Sequence, residues 1–595
     1  MTNILESVNS PTDLKTMNIS ELNELAQEIR SAIIRKVNAV GGHFGPNLGF
    51  VEATIAMHYV FDSPNDKFVF DVSHQCYPHK ILTGRKEGFL NPDSYQKFSG
   101  YTNPEESEHD QFIVGHTSTS VSLACGLAKA RDLRGEKYNV VAVIGDGSLS
   151  GGEAYEGLNN GADLNSNFIV IVNDNEMSIA VNQGGLYGNL SELRSTCGEA
   201  KCNFFKSLGY NYSYVERGNN LEDLIKVFEH VKDTNEPTVV HLHTLKGKGL
   251  KVSEENKEMF HWIMPGTLDD EGNLAHNEQS FEENYYTITN EFLLNKKAQG
   301  VPVISITPAT PGATGFSQEY RDKMGDNFRD VGIAEEHAVA FASGAAKAGA
   351  RPVISVLSSF IQRTYDQLSQ DLALNNSPAV ILVNWGGLSP MDATHVGCFD
   401  IPLISNIPNI VYLAPTCKEE YLSMLEWAMS QNDHPVAIRT PFANYVVSGH
   451  SDNTNYSILN KYELKHAGSD VAVIAVGDFF ELGKSVHGIL KSELGIDASL
   501  INPKFISGID NELLESLKEN HKIVITLENG VIEGGFGQKI ASWYGDSAMR
   551  VLNFGGQKVF TDRVPMEKIL EENHLKPELI VSDIKKCLDT ICSNV

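Results

Sequence analysis

The chain has 595 residues, enough for three or four domains that each bury a hydrophobic core. Lys and Arg number 48 against 76 Asp and Glu, and the formal net charge of −28 argues against nucleic acid or an anionic membrane as a partner. Hydrophobic residues make up 41% and charged residues 21%, values typical of folded globular proteins and not of disordered chains.

The cysteines and the N-terminal sequence bear on where the protein is found. Eight cysteines occur without a C-x-x-C pair or a zinc-type spacing with histidine, which favours reduced structural thiols. The first residues, MTNILESVNSPTDLKTM, lack the basic and then apolar order of a signal peptide, and no apolar run reaches the ~20 residues of a membrane helix. We therefore expect a soluble cytoplasmic protein.

Short runs rich in Val and Ile recur along the chain, and each is followed by a polar loop. This pattern is typical of buried parallel strands joined by helical crossovers. In the first stretch the runs are Lys67–Val72, Tyr138–Ile144, Phe168–Val172 and Pro237–His243. Between about residues 251 and 300 the sequence becomes polar and irregular, and we interpret this segment as a connection across the surface.

The same pattern returns twice after residue 300. The predicted strands of the second stretch are Val301–Ile306, Pro352–Leu357, Ala379–Val383, Ile410–Leu413 and Pro435–Arg439. A third stretch begins after His466 with DVAVIAVG, ASLIN and KIVITLE, and it ends in a predicted helix at Leu579–Ser593. The chain is thus predicted to be α/β, with three open, doubly wound parallel-sheet domains over residues 1–300, 301–460 and 466–595.

The strongest local signal is the pair of motifs Gly145-Asp146-Gly147 and Asn173-Asp174-Asn175, which end two successive predicted strands. The glycines let the backbone approach an anion, while Asp146 and Asn175 offer hard oxygen ligands that suit Mg²⁺. A diphosphate bridged by that ion could also bind the start of the following helix. Either tripeptide alone is equally compatible with an ordinary turn or polar loop, so the signal lies in their order and separation.

This order matches the thiamine diphosphate motif of transketolase-like enzymes, and longer segments resemble the 1-deoxy-D-xylulose-5-phosphate synthase family. The segments are FDVSHQCYPHKILTGR (Phe70–Arg85), GHTSTSVSLACGLAKARD (Gly115–Asp132), GDGSLSGGEAYEGLN, NDNEMSIA, Asp330–Leu374 and LENGVIEGGFG (Leu527–Gly537). The resemblance implies a transketolase-like fold and a homodimer. In chain order it implies a diphosphate-binding domain with a trailing linker, a pyrimidine-binding domain and a transketolase C-terminal-like domain.

The resemblance also implies roles for individual residues. Mg²⁺ would be held by Asp146, Asn175 and the backbone carbonyl of Met177. Glu335 matches the carboxylate that hydrogen-bonds the cofactor's pyrimidine ring and promotes deprotonation of its thiazolium ring. The ordinary alternative for Glu335 is an acidic residue favoured at a helix start. The other cofactor-binding positions implied by the resemblance are His74, Gly115, His116, Thr117, Gly147, Ser148, Asn175, Lys246, Phe360 and Arg363.

Three further residues, His43, His261 and His395, match catalytic positions around the reacting carbons. Imidazoles there can hydrogen-bond carboxylate and carbonyl oxygens and relay protons at neutral pH. The reaction implied is decarboxylation of pyruvate and transfer of the two-carbon acetyl unit to an aldehyde, and its product would serve isoprenoid or thiamine biosynthesis. Two alternatives stay open, a transketolase-type transfer from a ketose donor and a cofactor-binding protein that has lost turnover.

The sequence departs from the family at the positions that hold the acceptor's phosphate, where a tyrosine and two arginines are replaced by Leu357, Trp385 and Phe442. Losing two charge-assisted contacts would weaken phosphate binding by about 3–6 kcal/mol. We therefore hypothesise an acceptor less charged than glyceraldehyde 3-phosphate, with an apolar or aromatic portion. The segment Ala180–Phe205 is shorter than in the family, which suggests a more open site.

Overall fold

A computed structural model describes residues 4–275 and 283–593 of the chain. Its contacts divide the chain into two compact units, Met1–Ser280 with Gly332–Ala334, and Phe281–Val331 with Glu335–Val595. Parallel sheets flanked by helices form both units, so the predicted α/β class is confirmed. The division into three domains stays a prediction, and within the described residues no helix is long and apolar enough to cross a membrane.

The first unit contains a five-stranded sheet in the order β2-β3-β4-β6-β5, in which every pair is parallel. A small antiparallel pair, β1 with β7, lies outside this sheet. The strands are β1 Gly42–His43, β2 Lys67–Phe70, β3 Val140–Gly145, β4 Phe168–Asp174, β5 Asn211–Val215, β6 Pro237–His243 and β7 Trp262–Ile263. The helices are α1 Ile4–Ser7, α2 Ile19–Val40, α3 Gly45–Gly49, α4 Val51–Val60, α5 Tyr77–Lys80, α6 Glu87–Leu90, α7 Ser120–Arg134, α8 Gly152–Gly161, α9 Gly185–Ser195, α10 Phe204–Leu208, α11 Leu221–Val231 and α12 Lys251–Glu255.

Strand β4 lies at the centre of this sheet and is buried along its whole length. Its alternate residues join two different hydrophobic clusters, Ile169 and Ile171 in one and Val170 and Val172 in the other. This alternation is expected of a strand covered by helices on both faces, and it explains the continuous apolar run in the sequence. The polar residues that follow the run emerge at the carboxyl edge of the sheet.

The second unit contains two sheets. One is parallel, in the order β12-β13-β11-β10-β8-β9, and the other has the order β14-β16-β15-β17-β18 with only β14 antiparallel. The strands are β8 Val303–Thr307, β9 Phe328–Asp330, β10 Arg351–Leu357, β11 Val380–Asn384, β12 Val411–Leu413, β13 Val436–Arg439, β14 Glu463–His466, β15 Asp470–Ala475, β16 Ser499–Asn502, β17 His521–Val531 and β18 Arg550–Gly556. The helices are α13 Tyr285–Ala298, α14 Gln318–Met324, α15 Glu335–Lys347, α16 Asp400–Ile404, α17 Lys418–Ser430, α18 Phe480–Leu494, α19 Asn511–Leu517, α20 Phe536–Trp543, α21 Met566–Glu572 and α22 Pro577–Ser593.

Four strands of the structure were absent from the sequence prediction for the same physical reason. Strands β5, β9, β14 and β18 were not predicted; each lies at a sheet edge, where one side meets solvent and the continuous Val and Ile pattern is lost.

The segment expected to be an irregular connection contains α12 and α13, and α13 buries Tyr285, Ile288 and Leu293 in the core of the second unit. That part of the prediction is wrong, and residues 276–282 lie outside the described part of the chain.

Candidate active site

The predicted site residues fall into two sets, one in each unit, and the first set surrounds the carboxyl ends of β3 and β4. These strands pair with Gly145 opposite Asn173, so both motifs lie at the same edge of the sheet. The Asp146 amide donates to the Asn173 carbonyl at 3.1 Å, and the Asp146 side chain is buried. The structure therefore brings Asp146 and Asn175 to one edge, as the sequence predicts.

Two buried amide oxygens at this edge, Oδ1 of Asn175 and Oδ1 of Asn182, accept no hydrogen bond from the described residues. The Nδ2 of Asn182 donates to Oδ2 of Asp146 at 2.6 Å, and the turn that carries these groups is closed by a bridge between Met177 and Val181. A buried oxygen without a partner is costly unless a ligand satisfies it. Carboxylate and amide oxygens are the donors that Mg²⁺ prefers, so this edge fits such an ion.

Asn182 did not stand out in the sequence. It lies in an irregular segment after the second motif, and only the turn between Met177 and Val181 returns it to Asp146. A sequence pattern cannot show such a return, because it depends on how the loop closes.

The pKa values of the two acidic residues of the motifs, Asp146 and Asp174, are shifted in opposite directions. Burial and the nearby charge of Asp174 raise the pKa of Asp146 well above its ordinary value, although Lys246 opposes this. Asp174 is also buried, but it binds His241 Nε2 at 2.8 Å and Arg194 Nη1 at 2.6 Å, and these partners lower its pKa. Asp174 is therefore balanced within the protein, whereas a divalent cation would stabilise the ionised form of Asp146.

The segments predicted to line the diphosphate are held close to one another. Asp71 accepts from the amides of Ser118 at 2.8 Å and Ser120 at 3.0 Å, immediately after the Gly115–Thr117 segment. Ser118 also donates through Oγ to the Ser148 carbonyl at 2.9 Å. These bonds tie the start of α7 to the turn after β3, so the two predicted phosphate-lining segments are neighbours.

Gly147 and Lys246 both contact the turn that follows β4. A Cβ on Gly147 would lie 2.7 Å from the Cβ of Ser178, which leaves room only for glycine. Lys246 is buried and its Nζ donates to the Ser178 carbonyl at 2.6 Å. Burial lowers the pKa of Lys246 to about 7, although Asp146 opposes that shift.

Three predicted histidines, His43, His74 and His261, form a cluster in the first unit. Their ring centroids are 5.2 Å apart for His43 and His74, 5.5 Å for His43 and His261, and 5.4 Å for His74 and His261. The buried Asn47 donates through Nδ2 to the carbonyls of His43 at 3.0 Å and His74 at 2.7 Å. Burial lowers the pKa of His43 and of His261 well below the usual value, so both are neutral near pH 7.

The second set lies at the carboxyl edge of the parallel sheet of the second unit. Glu335 is the first residue of α15 and is buried, and its Oε2 accepts no hydrogen bond from the described residues. Burial raises the pKa of Glu335, while Arg363, whose Nη1 lies 3.6 Å from Oε2, opposes the shift. The ring of Phe360 lies 5.6 Å from that of His395. All four of these predicted residues thus make a contact within the set.

The residues that depart from the family form an apolar surface in the second unit. Trp385 follows β11 with φ of +58°, a strained conformation for a bulky residue, and its ring packs edge-on against Phe442 at 5.2 Å. Phe442 is 47% exposed, and Leu357 is buried at the end of β10.

Arg439, at the end of β13, is engaged within the protein. It is 2% exposed and binds Asp400 through Nε at 2.6 Å and Nη2 at 3.1 Å. Its Nη2 also donates to the Asn529 carbonyl at 2.5 Å. Its charge is therefore balanced by Asp400 and does not replace the arginines missing from the sequence.

The shortened segment contacts the motif loops, where the sequence predicts a more open site. Helix α9 lies in this segment, and the Tyr187 hydroxyl donates to the carbonyls of Asp146 at 3.1 Å and Gly147 at 3.2 Å. Arg194, from the same helix, is the ion-pair partner of Asp174. Helix α9 therefore contacts both motif loops, through Tyr187 and Arg194.

Family models match three successive regions of the chain. They are described as 1-deoxy-D-xylulose-5-phosphate synthase over residues 5–203, transketolase pyrimidine binding domain over residues 285–447, and transketolase C-terminal domain over residues 460–580.

Curated relatives match over nearly the full length. A 1-deoxy-D-xylulose-5-phosphate synthase of Clostridium tetani is 38% identical and covers 99% of this chain and 100% of its own. Those of Halothermothrix orenii and Alkaliphilus oremlandii are 36% and 37% identical, covering 99% and 98% of this chain and 98% and 99% of their own. Among solved structures, a split gene transketolase in an inactive β4 tetramer is 21% identical with a TM-score of 0.45 over 50% of this chain and 96% of its own, too weak a likeness to carry an argument.

Proposed function

Because this chain belongs to the 1-deoxy-D-xylulose-5-phosphate synthase family, we propose how its residues serve thiamine diphosphate-dependent decarboxylation of pyruvate and transfer of the acetyl unit to an aldehyde. The chain is a transferase of the transketolase class, as the resemblance implied. When bound, thiamine diphosphate supplies the thiazolium ring that acts as the electron sink of this chemistry. The observations that carry the proposal are the buried oxygens of Asn175 and Asn182 in the first unit and of Glu335 in the second, which accept no hydrogen bond from the described residues.

We assign Mg²⁺ to Asp146, Asn175 and the backbone carbonyl of Met177. The unsatisfied Oδ1 of Asn175 and the raised pKa of Asp146 support this assignment, because a cation would satisfy the first and stabilise the charge of the second. The cofactor's diphosphate would be bound by the ion and by the adjoining segments Gly115–Thr117 and Gly147–Ser148.

Glu335 holds and releases a proton at the cofactor's pyrimidine ring. Its burial raises the pKa of the carboxyl toward the working pH, which suits a group that must exchange a proton. Phe360 would stack against the pyrimidine ring, and Arg363 keeps an opposing positive charge 3.6 Å from the carboxyl. These residues would hold the pyrimidine ring, and the bound cofactor would supply the thiazolium ring whose deprotonation they promote.

The histidines bind and orient the donor. Neutral imidazoles of His43 and His261 can each donate one hydrogen bond and accept another, so they can hold a carboxylate or move a proton at a carbonyl oxygen. His74 and Lys246 are assigned to the cofactor side of the same unit, and His395 to catalysis in the second unit. Lys246 is buried, which limits water beside it.

The acceptor is an aldehyde without a phosphate group, and its apolar portion packs against Trp385 and Phe442. A phosphate dianion needs ionic donors, and each charge-assisted hydrogen bond contributes about 1.5–3 kcal/mol. The apolar edge formed by Trp385, Phe442 and Leu357 supplies none, and Arg439 is already bound to Asp400. Aromatic surface of this kind favours apolar or aromatic groups instead.

Steady-state assays test the acceptor. The rate of carbon dioxide release from labelled pyruvate is measured with glyceraldehyde 3-phosphate, with glyceraldehyde and with aromatic and aliphatic aldehydes, and we expect the highest kcat/KM with an uncharged apolar aldehyde. A ketose donor in place of pyruvate separates the transketolase-type alternative, because that reaction releases no carbon dioxide. A micromolar KM for glyceraldehyde 3-phosphate would refute the acceptor assignment.

A matched variant sharpens the assay. Trp385→Arg combined with Phe442→Arg returns two cations to this edge, and we expect it to raise kcat/KM for glyceraldehyde 3-phosphate and to lower it for apolar aldehydes. Unchanged preference in a folded, cofactor-binding variant would show that the acceptor binds elsewhere.

We further propose a homodimer, on the resemblance alone, to be checked by light scattering at several protein concentrations. Family membership connects the product to isoprenoid biosynthesis. A role in thiamine biosynthesis and a cytoplasmic location stay predictions from the sequence.

A further inference from the structure

A cluster of metal-ligating side chains lies far along the chain from both predicted site sets, on the last sheet of the second unit. His466 ends the edge strand β14, His487 lies on α18, and Asp497 lies in the loop between α18 and β16. One possible ligand atom from each residue lies within 4.8 Å of the others. We propose that these three residues bind a divalent transition-metal ion of the Zn²⁺ type.

The contacts within the cluster support a ligand. Nε2 of His466 lies 3.0 Å from Oδ1 of Asp497, and the rings of His466 and His487 have centroids 4.8 Å apart at 63°. The Nδ1 of His487 is buried and has no hydrogen-bond partner among the described residues. A buried ring nitrogen without a partner retains the capacity to bind a ligand.

The donor set indicates the class of ion. Two imidazoles and one carboxylate suit Zn²⁺ and its neighbours, whereas Mg²⁺ prefers oxygen donors alone. The two histidines are half-buried and Asp497 is exposed, so solvent water can complete a tetrahedral shell. The Nζ of Lys491 lies 3.0 Å from the same Asp497 oxygen and lowers its pKa, which keeps the carboxylate ionised but also competes with the ion for it.

The bound ion would add a further link between an edge strand, a helix and a loop that backbone contacts already connect, since His466 pairs with Leu500 and the Ser469 amide donates to the Asp497 carbonyl at 2.8 Å. Since an ion that binds only the folded state stabilises it by mass action, occupancy would raise the thermal stability of this part of the chain. The site is separate from the reaction assigned above and does not depend on it.

Calorimetry of the untagged, chelator-treated full-length protein tests the site, with Zn²⁺ as the titrant and excess Mg²⁺ present throughout. We expect one equivalent with micromolar or tighter affinity, and loss of that equivalent in His466→Ala/His487→Ala. His574→Ala is the matched control, because His574, between α21 and α22, pairs with Asp583 at 2.8 Å but belongs to no cluster of three ligands among the described residues, and it should leave the titration unchanged. Equal Zn²⁺ uptake by the wild type and the double variant would overturn the proposal.

A second variant tests the site without removing a ligand. Lys491→Met removes the competing ammonium, so we expect Zn²⁺ to bind several-fold more tightly and to raise Tm further than in the wild type. An unchanged or weaker affinity in this variant would contradict the geometry proposed here, whatever the folding of the histidine variants.

Discussion

The polar groups at the ends of β3 and β4 in the first unit differ from those at the ends of β11 and β13 in the second. At the ends of β3 and β4, the buried amide oxygens of Asn175 and Asn182 accept no hydrogen bond within the described part of the chain, and the pKa of Asp146 is raised. At the ends of β11 and β13, Arg439 is fully engaged by Asp400 and aromatic rings form the exposed surface. The groups at the ends of β3 and β4 therefore fit a charged ligand, whereas the charge of Arg439 at the end of β13 is already paired with Asp400.

This difference corresponds to the two roles proposed above, cofactor binding in the first unit and acceptor specificity in the second. A buried polar atom without a partner is expensive, so it marks a place where a cofactor or ion supplies the missing contact. A buried cation paired with a carboxylate marks structure, because breaking the pair is more costly than any weak contact with a small substrate. The predictions that follow test these two statements.

The largest effect is expected at Glu335. Glu335→Gln keeps the shape of the side chain but cannot exchange its proton, so we expect pyruvate turnover to fall by about 10²–10⁴-fold. The folded-state pKa of Glu335 is raised, so its ionisation costs stability as the pH rises through that value, and the variant should be at least as stable as the wild type above it. Turnover and thermal melts are measured together, with Glu336→Gln as the control. A variant with near-normal turnover would remove Glu335 from catalysis.

Arg439 tests the structural side of the comparison. Arg439→Met leaves Asp400 buried without its cation, and we expect the free energy of unfolding to fall by about 3–5 kcal/mol. Arg217→Met breaks an exposed pair with Asp223 and should lower the free energy of unfolding far less, because solvent screens that pair. Denaturant unfolding gives both values, and the KM for the aldehyde in residual folded Arg439→Met protein should stay close to that of the wild type. A large rise in that KM with little loss of stability would make Arg439 an acceptor-binding residue.

Glu528 is a buried carboxyl whose two oxygens accept hydrogen bonds from backbone amides of the protein. It accepts from the amides of Phe536 at 2.8 Å and Gly537 at 2.9 Å, and burial raises its pKa to about 7 from an ordinary value of 4.5. Its stabilising contribution is present below pH 4.5 and is lost as the pH rises through 7. The free energy of unfolding of the wild type should therefore fall by about 3 kcal/mol relative to Glu528→Gln between these limits. Glu515→Gln, at an exposed position, should follow the wild type, and parallel curves for the wild type and Glu528→Gln would contradict the shift.

The sequence predicts most of the central strands of the sheets but few of the edge strands. Strands such as β4 carry continuous apolar runs because both faces are covered, and these were found near their observed bounds. Edge strands such as β5 and β14 have one exposed side, so their patterns resemble loops. Helix α13 was missed because its N-terminal flank is polar, although its inner face is buried.

The candidate site divides in a similar way. Asp146 and Asn175 could be named because each follows a strand whose pattern is readable in the sequence, whereas Glu335 could be named only from the resemblance, since an acidic residue at a helix start is ordinary. The partners that hold them, such as Asn182 and Arg194, come from an irregular segment and from α9, and their contacts depend on how the chain closes in three dimensions. The pairing of Arg439 with Asp400 joins residues 39 positions apart and has no local signature.

Asn182 gives the smallest expected effect and the finest test of the groups at the ends of β3 and β4. Its Nδ2 fixes one Asp146 oxygen at 2.6 Å, so Asn182→Ala leaves the carboxylate in place but free to turn. Partners that orient a metal ligand change affinity by about 10–100-fold, and because this is a single hydrogen bond we expect Mg²⁺-dependent binding of thiamine diphosphate to weaken by about tenfold. Calorimetry of cofactor binding over a range of Mg²⁺ concentrations measures this without turnover, and Asn160→Ala, at an exposed helix position, is the control. Unchanged Mg²⁺ dependence in Asn182→Ala would mean that Asp146 is oriented by the turn itself, whereas a loss as large as that of Asn175→Ala would make Asn182 a direct ligand through its unsatisfied Oδ1.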